Sequence, residues 1–184
     1  MNGERAQQIE KEVVDELLTG KTITVGFKRL RENAVLPTKA HAADSGFDLV
    51  ASEDVIIAPG ETVIVPTDIA VRLPAGYEAQ VRPRSGVTAK TQLRVQLGTI
   101  DNGYSGAIGV IVDNTSTDTW SNACRLLDNT YEETTRGKSS GYLIRKGDRI
   151  AQLVIQRLPE VTAVEVSDVG ESSRGNRGFG SSGI

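Results

Sequence analysis

Three stretches of this 184-residue chain hold residue types that could do chemistry. The first, Arg82-Pro83-Arg84-Ser85-Gly86-Val87, sets two cations, a hydroxyl and a glycine at the end of a β-like run. A guanidinium offers a planar fork of donors to phosphate oxygens, the serine adds a donor, and the glycine lets a backbone N–H approach a ligand closely. The same residues also describe a solvated strand edge with a turn. The second stretch, Gly98 to Gly106, places Asp101 and Tyr104 on one tight hairpin. Asp101 there suits either an Asx-turn or a hydrogen bond accepted from a water, with the Tyr104 ring lying against a sugar. The third is the tail Arg174-Gly175-Asn176-Arg177-Gly178-Phe179-Gly180-Ser181-Ser182-Gly183. Its composition alone describes a disordered terminus. Its layout suits a mobile arm folding over a nucleotide, with Phe179 on a base and Arg174, Ser181 and backbone amides on phosphates.

Other catalytic plans are poorly supplied. His41 and Cys124 are each the only residue of their type. One histidine cannot form a two-His metal face, and a Ser-His-Asp triad or Cys-His dyad would have to run through His41. One cysteine gives no intramolecular disulfide and no Cys-based zinc site. Carboxylates, arginines, hydroxyls and backbone amides are left to carry any catalysis. The formal net charge of -3 gives no field for a polyanion, so no nucleic-acid partner is expected and phosphate chemistry has to be local. No stretch approaches the roughly 20 apolar residues of a membrane span, and the start lacks a signal-peptide pattern. The expectation is a cytoplasmic protein without membrane contact.

The elements that must position these residues are mostly strands. Val and Ile together far outnumber Leu, and 19 glycines break the chain at short intervals. β-like runs cover Ile23 to Phe27, Phe47 to Ala51, Thr62 to Pro66, Glu78 to Arg82, Ala107 to Asp113, Ile150 to Gln156 and Ala163 to Val166. Turn signals separate them at Pro59-Gly60, Pro74-Ala75-Gly76, Asp101-Asn102-Gly103 and Lys146-Gly147-Asp148. Such spacing predicts an all-β sandwich, jelly roll or barrel. The exception is residues 1–20, where Ala6, Ile9, Val13, Val14, Leu17 and Leu18 recur at helical spacing before Gly20 and predict a short amphipathic helix. Its polar face mixes both charge signs, so it is expected to pack on protein rather than on a membrane. The expected organisation is that helix, a β domain over 21–169 with a polar insert at 115–141, and a flexible C-terminal arm over 170–184. Within the insert, Trp120 is expected to anchor local packing and Cys124 to be a small buried residue. His41 reads as a loop histidine.

The three stretches, taken with Ala43-Asp44-Ser45-Gly46-Phe47-Asp48-Leu49 and Gly147-Asp148-Arg149-Ile150-Ala151-Gln152-Leu153, resemble the five ordered motifs of the trimeric dUTP diphosphatases (dUTPases). Each motif is weak alone, but all five stand in the family's order and rough spacing, from about Val25 to Gly183. The resemblance implies a homotrimer of distorted, β-clip-like jelly rolls. Active sites would lie at subunit boundaries, each closed by the C-terminal arm of another subunit. It implies hydrolysis of dUTP to dUMP and pyrophosphate, which keeps uracil out of DNA and supplies dUMP.

By motif match, Asp101 would orient and deprotonate the water that attacks the α-phosphorus. An aspartate with an ordinary pKa of about 3.9 is already ionised at pH 7 and needs placement more than tuning. Tyr104 would pack on the deoxyribose and leave no room for a 2′-hydroxyl. Uracil would pair with backbone groups around Thr99, Ile100 and Gly109, where a 5-methyl group would clash. Arg84, Ser85 and Gly86 would bind the phosphate chain, and Gln152 would contact phosphate or metal-bound water. Arg174, Gly180 and Ser181 would neutralise the outer phosphates while Phe179 covers the uracil. Asp48 would support this shell from behind, or form a turn. Mg²⁺ is the expected cofactor, carried by substrate phosphates and water with no direct protein ligand.

The chain departs from the family at Val95. There, six residues before the aspartate, the family often carries an Asn that contacts uracil, and Gln96 or backbone groups would take that contact over. It also carries the N-terminal helix and roughly 15 to 20 extra residues between Asn114 and Gly147, as some bacteriophage dUTPases do. The insert is where a regulatory protein partner would dock, in a bacterial or phage-infected cell. Two other readings stand beside hydrolysis. One is a dCTP deaminase of the same fold, which needs a Glu beside the Arg84-Ser85 turn that this chain does not show. The other is a nucleotide-sensing module that binds a protein through the insert.

Overall fold

A computed structural model describes residues 23–117, 123–133, 141–173 and 175–177. The expected N-terminal helix, Trp120, and the arm residues Arg174, Phe179, Gly180 and Ser181 lie outside the described residues. Short runs fold as strands β1 (Gly26–Arg29), β2 (Gly46–Val50), β3 (Val55–Ile57), β4 (Thr62–Pro66), β5 (Ile69–Arg72) and β6 (Tyr77–Pro83). A six-residue helix α1 (Ser85–Lys90) follows, then β7 (Leu93–Val95), β8 (Gly98–Ile100), β9 (Gly109–Asn114), β10 (Ala123–Arg125), β11 (Tyr131–Glu133), β12 (Gly141–Ile144) and β13 (Arg149–Arg157). The protein is mostly β, with the jelly-roll-like arrangement expected.

The strands form four sheets ordered β1-β5, β11-β10-β12-β3, β2-β13-β6-β8 and β4-β9-β7. Between them lies one core that includes Leu49, Ile57, Val65, Ile69, Val110, Val112, Tyr142, Ile144, Ile150 and Leu153, all nearly or fully buried. Alternation places residues of one sheet on two faces. In β2-β13-β6-β8, Leu49, Ala151, Leu153, Ala79, Val81 and Ile100 face the core. The opposite face carries Asp48, Gln152, Arg82, Gln80 and Thr99, with Asp48 opposite Gln152, Gln152 opposite Arg82, and Gln80 opposite Thr99. Gly46 is tied to this arrangement, because a Cβ there would sit 2.6 Å from Gln152 Oε1 and 3.0 Å from its Cβ.

Several expectations change. The run Ala163 to Val166 is not a strand, and Val161, Val164, Val166 and Val169 of this segment stay exposed. β propensity alone makes no strand when no described edge supplies a ladder. The sequence after Arg84, expected as a turn, winds into α1, whose only buried residue is Val87. β8 and β9 are not the two arms of one hairpin: β8 pairs with β6, while β9 pairs with β4 and β7 in another sheet. The polar excursion contains β10 and β11, a hairpin that extends the sheet through a parallel pairing of β10 with β12. As expected, Cys124 is fully buried and His41 exposed in a loop. Burial pushes the Cys124 thiol upward in pKa, and the Glu132 carboxylate adds to the effect. No helix among the described residues is long and apolar enough to cross a membrane.

Candidate active site

The phosphate-type turn begins where β6 ends. Arg84 keeps an extended backbone (φ -93°, ψ 132°) at the N-terminal boundary of α1, and its side chain turns back over the sheet. Its Nε lies 3.0 Å from Asp48 Oδ1 on β2, and its Nη1 donates to the Arg149 carbonyl on β13 at 3.0 Å. The other Asp48 oxygen is 3.3 Å from Arg149 Nη1. Asp48 therefore sits mid-strand between two guanidiniums, and the turn-forming role for it is set aside. Ser85 and Gly86 stand exposed in the first turn of α1, where a Cβ on Gly86 would meet no atom within 4 Å. A groove is lined by Arg84, Ser85, Gly86, Lys90, Asp148 and Arg149, together with Leu127 and Asp128 of the insert.

A second groove lies on the other side of the β6 terminus. It is lined by Arg82, Pro83, Leu97, Gly98, Thr99 and Gln152, among others. Gln152 donates from Nε2 to the Pro83 carbonyl at 3.0 Å, which leaves its Oε1 as the free acceptor. Arg82 is held by its neighbours: its Nε donates to Gln80 Oε1 at 3.0 Å and its Nη2 to the same oxygen at 2.5 Å.

Asp101 occupies the turn after β8. Its carbonyl accepts the Tyr104 N–H at 3.0 Å, while its exposed carboxylate has no hydrogen-bond or ion-pair partner among the described residues. The Asx-turn reading is thereby removed. The turn is clamped instead by Asn102, whose Nδ2 donates to the Leu73 and Pro74 carbonyls, each at 2.8 Å. The Tyr104 hydroxyl donates to the Ala107 carbonyl at 2.9 Å. Its ring lies so close over Gly106 that a Cβ there would come within 2.5 Å of the hydroxyl oxygen. Tyr104 is 48% exposed, a flat aromatic face beside a free carboxylate.

The expected residues form two groups. Asp48, Arg84, Ser85, Gly86 and Gln152 converge at the C-terminal end of β6. Asp101 and Tyr104 gather beyond its other half, because Ile100 pairs with Ala79 and Asn102 is bonded to the segment before Tyr77. At about 3.3 Å per residue, roughly 20 Å of strand separates Asp101 from Arg84. The carboxylate and the guanidinium thus stand toward opposite ends of β6. Thr99 lines the second groove, the Ile100 side chain is buried, and Gly109 opens β9 in a different sheet. Val95 is corrected as a side-chain contact. It is 9% exposed, opposite Val112 and packed in the core, so only its backbone remains available. Gln96 is exposed, but its amide donates to the Asp113 carboxylate.

Sequence reading missed Asn102, Gly46 and Arg149 as site residues. Each stands inside a quoted motif, but Asn102 works through backbone carbonyls nearly thirty residues away in sequence and Arg149 through a cross-strand carboxylate. Neither partner is marked by local spacing. Among the described residues no group of three or more His, Cys, Asp or Glu is placed to hold a metal ion.

A family model described as dUTPase matches residues 32–121 and 138–183, passing over most of the insert. The deoxyuridine 5′-triphosphate nucleotidohydrolase of Thermobifida fusca (strain YX) is 42% identical over 88% of this chain and 80% of its own length. That of Gloeothece citriformis (strain PCC 7424) is 41% identical over 85% of this chain and 94% of its own. Among solved structures, the dUTPase of Staphylococcus bacteriophage 80alpha with dUPNHPP is 37% identical, with a TM-score of 0.81 over 89% of this chain and all of that one. A mutant dUTPase from phage phi11 of S. aureus, solved with a structural Mg(II) ion, is 31% identical, with a TM-score of 0.75 over 80% of this chain and 99% of that one. Nothing in these likenesses favours the deaminase or a purely sensing module.

Proposed function

The chain belongs to the dUTPase family and hydrolyses dUTP to dUMP and pyrophosphate, and we infer that Asp101 is the residue that activates the water. The observation that carries this assignment is the free, exposed Asp101 carboxylate on a turn fixed by Asn102 and backbone bonds. The water oxygen attacks the α-phosphorus, its proton passes to Asp101, and the bond from that phosphorus to the bridging oxygen breaks to release pyrophosphate. Tyr104 offers its exposed face to the deoxyribose. Arg84, Ser85 and Gly86 receive the phosphate chain, and Gln152, in the neighbouring groove, has its Oε1 left to accept from a metal-bound water. Arg174, Phe179, Gly180 and Ser181 of the 170–184 arm complete the enclosure.

The separation of Asp101 and Arg84 along β6 supports a homotrimer whose sites take the aspartate from one subunit and the phosphate turn from another. Mg²⁺, which would neutralise phosphate charge, fits best as a companion of the triphosphate. Both Asp48 oxygens are engaged by arginines, so this carboxylate is not free to ligate an ion. The described part of the 115–141 insert puts β10 and β11 at an outer sheet edge and Leu127 and Asp128 beside the Arg84 groove, and we assign the insert to a protein partner. Deleting it is expected to weaken that partner's binding while leaving hydrolysis largely intact.

Asp101→Asn tests the central assignment. The variant is expected to bind dUTP with little change and to turn it over at least about a hundredfold more slowly, the range for removing a positioned base. Unchanged turnover would take Asp101 out of the mechanism.

A further inference from the structure

Arg149 lies at a break in the regular pairing of β13. Opposite β2 the register shifts between Arg149 and Ala151, so that Arg149 faces Val50 and Ala151 faces Leu49. Ile150 and Ala151 are both buried, at 1% and 0% exposure, as two consecutive inward residues. Strict alternation counted back from Gln152 would turn Ile150 out to solvent and Arg149 into the core. The extra residue of the bulge restores Arg149 to the face that carries Gln152 and Asp48.

That placement has two consequences for Arg84. The Arg149 side chain engages one Asp48 oxygen at 3.3 Å and leaves the other to hold Arg84 Nε at 3.0 Å. The Arg149 carbonyl accepts the Arg84 Nη1 hydrogen bond at 3.0 Å. Arg84 is therefore held at two of its three guanidinium nitrogens, Nε and Nη1, and Nη2 has no partner among the described residues. A flexible side chain, 33% exposed, is turned into an oriented fork.

We propose that Arg149 is a positioning residue for dUTP hydrolysis: through Asp48 and its own carbonyl it aims the Arg84 guanidinium at the phosphate chain. This rests on the reading of Arg84 as a phosphate ligand. Because Arg149 is 56% exposed, its replacement is expected to leave the fold intact, and thermal melting of each variant checks this.

The test is steady-state dUTP hydrolysis by the full chain with Mg²⁺, for Arg149→Gln, Arg149→Lys, Arg84→Gln and the double variant Arg149→Gln/Arg84→Gln. Arg149→Gln is expected to lower kcat/KM about tenfold, mostly through KM, as for a ligand left in place but less well aimed. Arg149→Lys keeps a cation for Asp48 and the same backbone carbonyl, and is expected to recover to within about threefold of the parent. In the Arg84→Gln background the Arg149→Gln change is expected to cost less than about twofold, because the residue it acts through is gone. A full tenfold loss in both backgrounds would show that Arg149 acts on the substrate or on the fold by another route, and would overturn the proposal. So would an Arg149→Gln enzyme with unchanged kcat/KM. If Arg84→Gln alone left kcat/KM unchanged, the phosphate role of Arg84 would fall first, a result separate from any behaviour of Arg149.

Discussion

Asp48, Asp68 and Asp101 are the same residue in the sequence and meet three different surroundings in the fold. Asp48 is enclosed, with its side chain 14% exposed and both oxygens on arginines. Asp101 is exposed and unengaged at the same two oxygens. Asp68 is distinguished by its backbone: at φ 54° it occupies the left-handed region, while its carbonyl accepts the Leu30 N–H at 2.9 Å and its carboxylate lies 3.5 Å from Arg31 Nε. A side chain in that region crowds the following carbonyl, least for Gly and tolerably for Asp or Asn. The Arg31 pair adds little, since Arg31 is 67% exposed. Asp68→Gly is therefore expected to stay within about 1 kcal/mol of the parent, its relief of strain offset by the freer unfolded chain. Asp68→Val, branched at Cβ, is expected to be less stable than Asp68→Gly by about 2 kcal/mol in urea unfolding. Equal stabilities would contradict the strain. Nothing in the order Pro66-Thr67-Asp68-Ile69 announced the left-handed turn, because the residue that usually marks one is glycine.

At the scale of the element, the insert shows how a segment polar in composition still becomes sheet. Cys124 is the buried residue of β10, and the hairpin is carried by β12, which pairs with β3 through Tyr142 opposite Ile57. The joint depends on Gly141. A Cβ there would stand 2.3 Å from the Ile57 carbonyl oxygen and 3.0 Å from its carbon, and backbone atoms cannot move aside as a side-chain tip can. Gly141→Ala is expected to cost about 2 kcal/mol in thermal or urea unfolding and to loosen β10 and β11, read as faster amide exchange over residues 123–133. A parent-like unfolding curve would mean that the close approach is not needed. The β-like runs around Thr62 to Pro66 and Ile150 to Gln156 were readable because each is rich in β-branched residues and follows a turn signal, Pro59-Gly60 or Lys146-Gly147-Asp148. β7, β8 and β10 have three residues each, too short for a period to show. The helix α1 was hidden for a similar reason, since six residues with one buried side chain make no amphipathic stripe.

For the whole molecule, the distance between the two halves of the site decides how catalysis is organised. With Asp101 beyond one half of β6 and Arg84 at the other end, an active site built across subunits predicts complementation. Asp101→Asn and Arg84→Gln chains, each nearly inactive alone, are expected to regain about a quarter of parental activity when refolded together in equal amounts. In random trimers that is the share of sites pairing an intact aspartate from one subunit with an intact arginine from the next. Activity no higher than that of the separate variants would place each site within one chain.

What the sequence determined by itself was chemical identity. Five motifs in order named the residue types, their rough spacing and the family, because phosphate recognition and water activation demand particular side chains and leave them close together in the chain. The tertiary structure decided which of them meet. Val95, where the family often carries an Asn, became a core residue because the pairing of β7 with β9 turns its side chain inward. Arg149 entered the site because one bulge in β13 reversed the side on which it emerges. The aspartate and the phosphate turn separated because a seven-residue strand lies between them. Face, register and distance along a strand are set by long-range pairing, and no local pattern of residues encodes them.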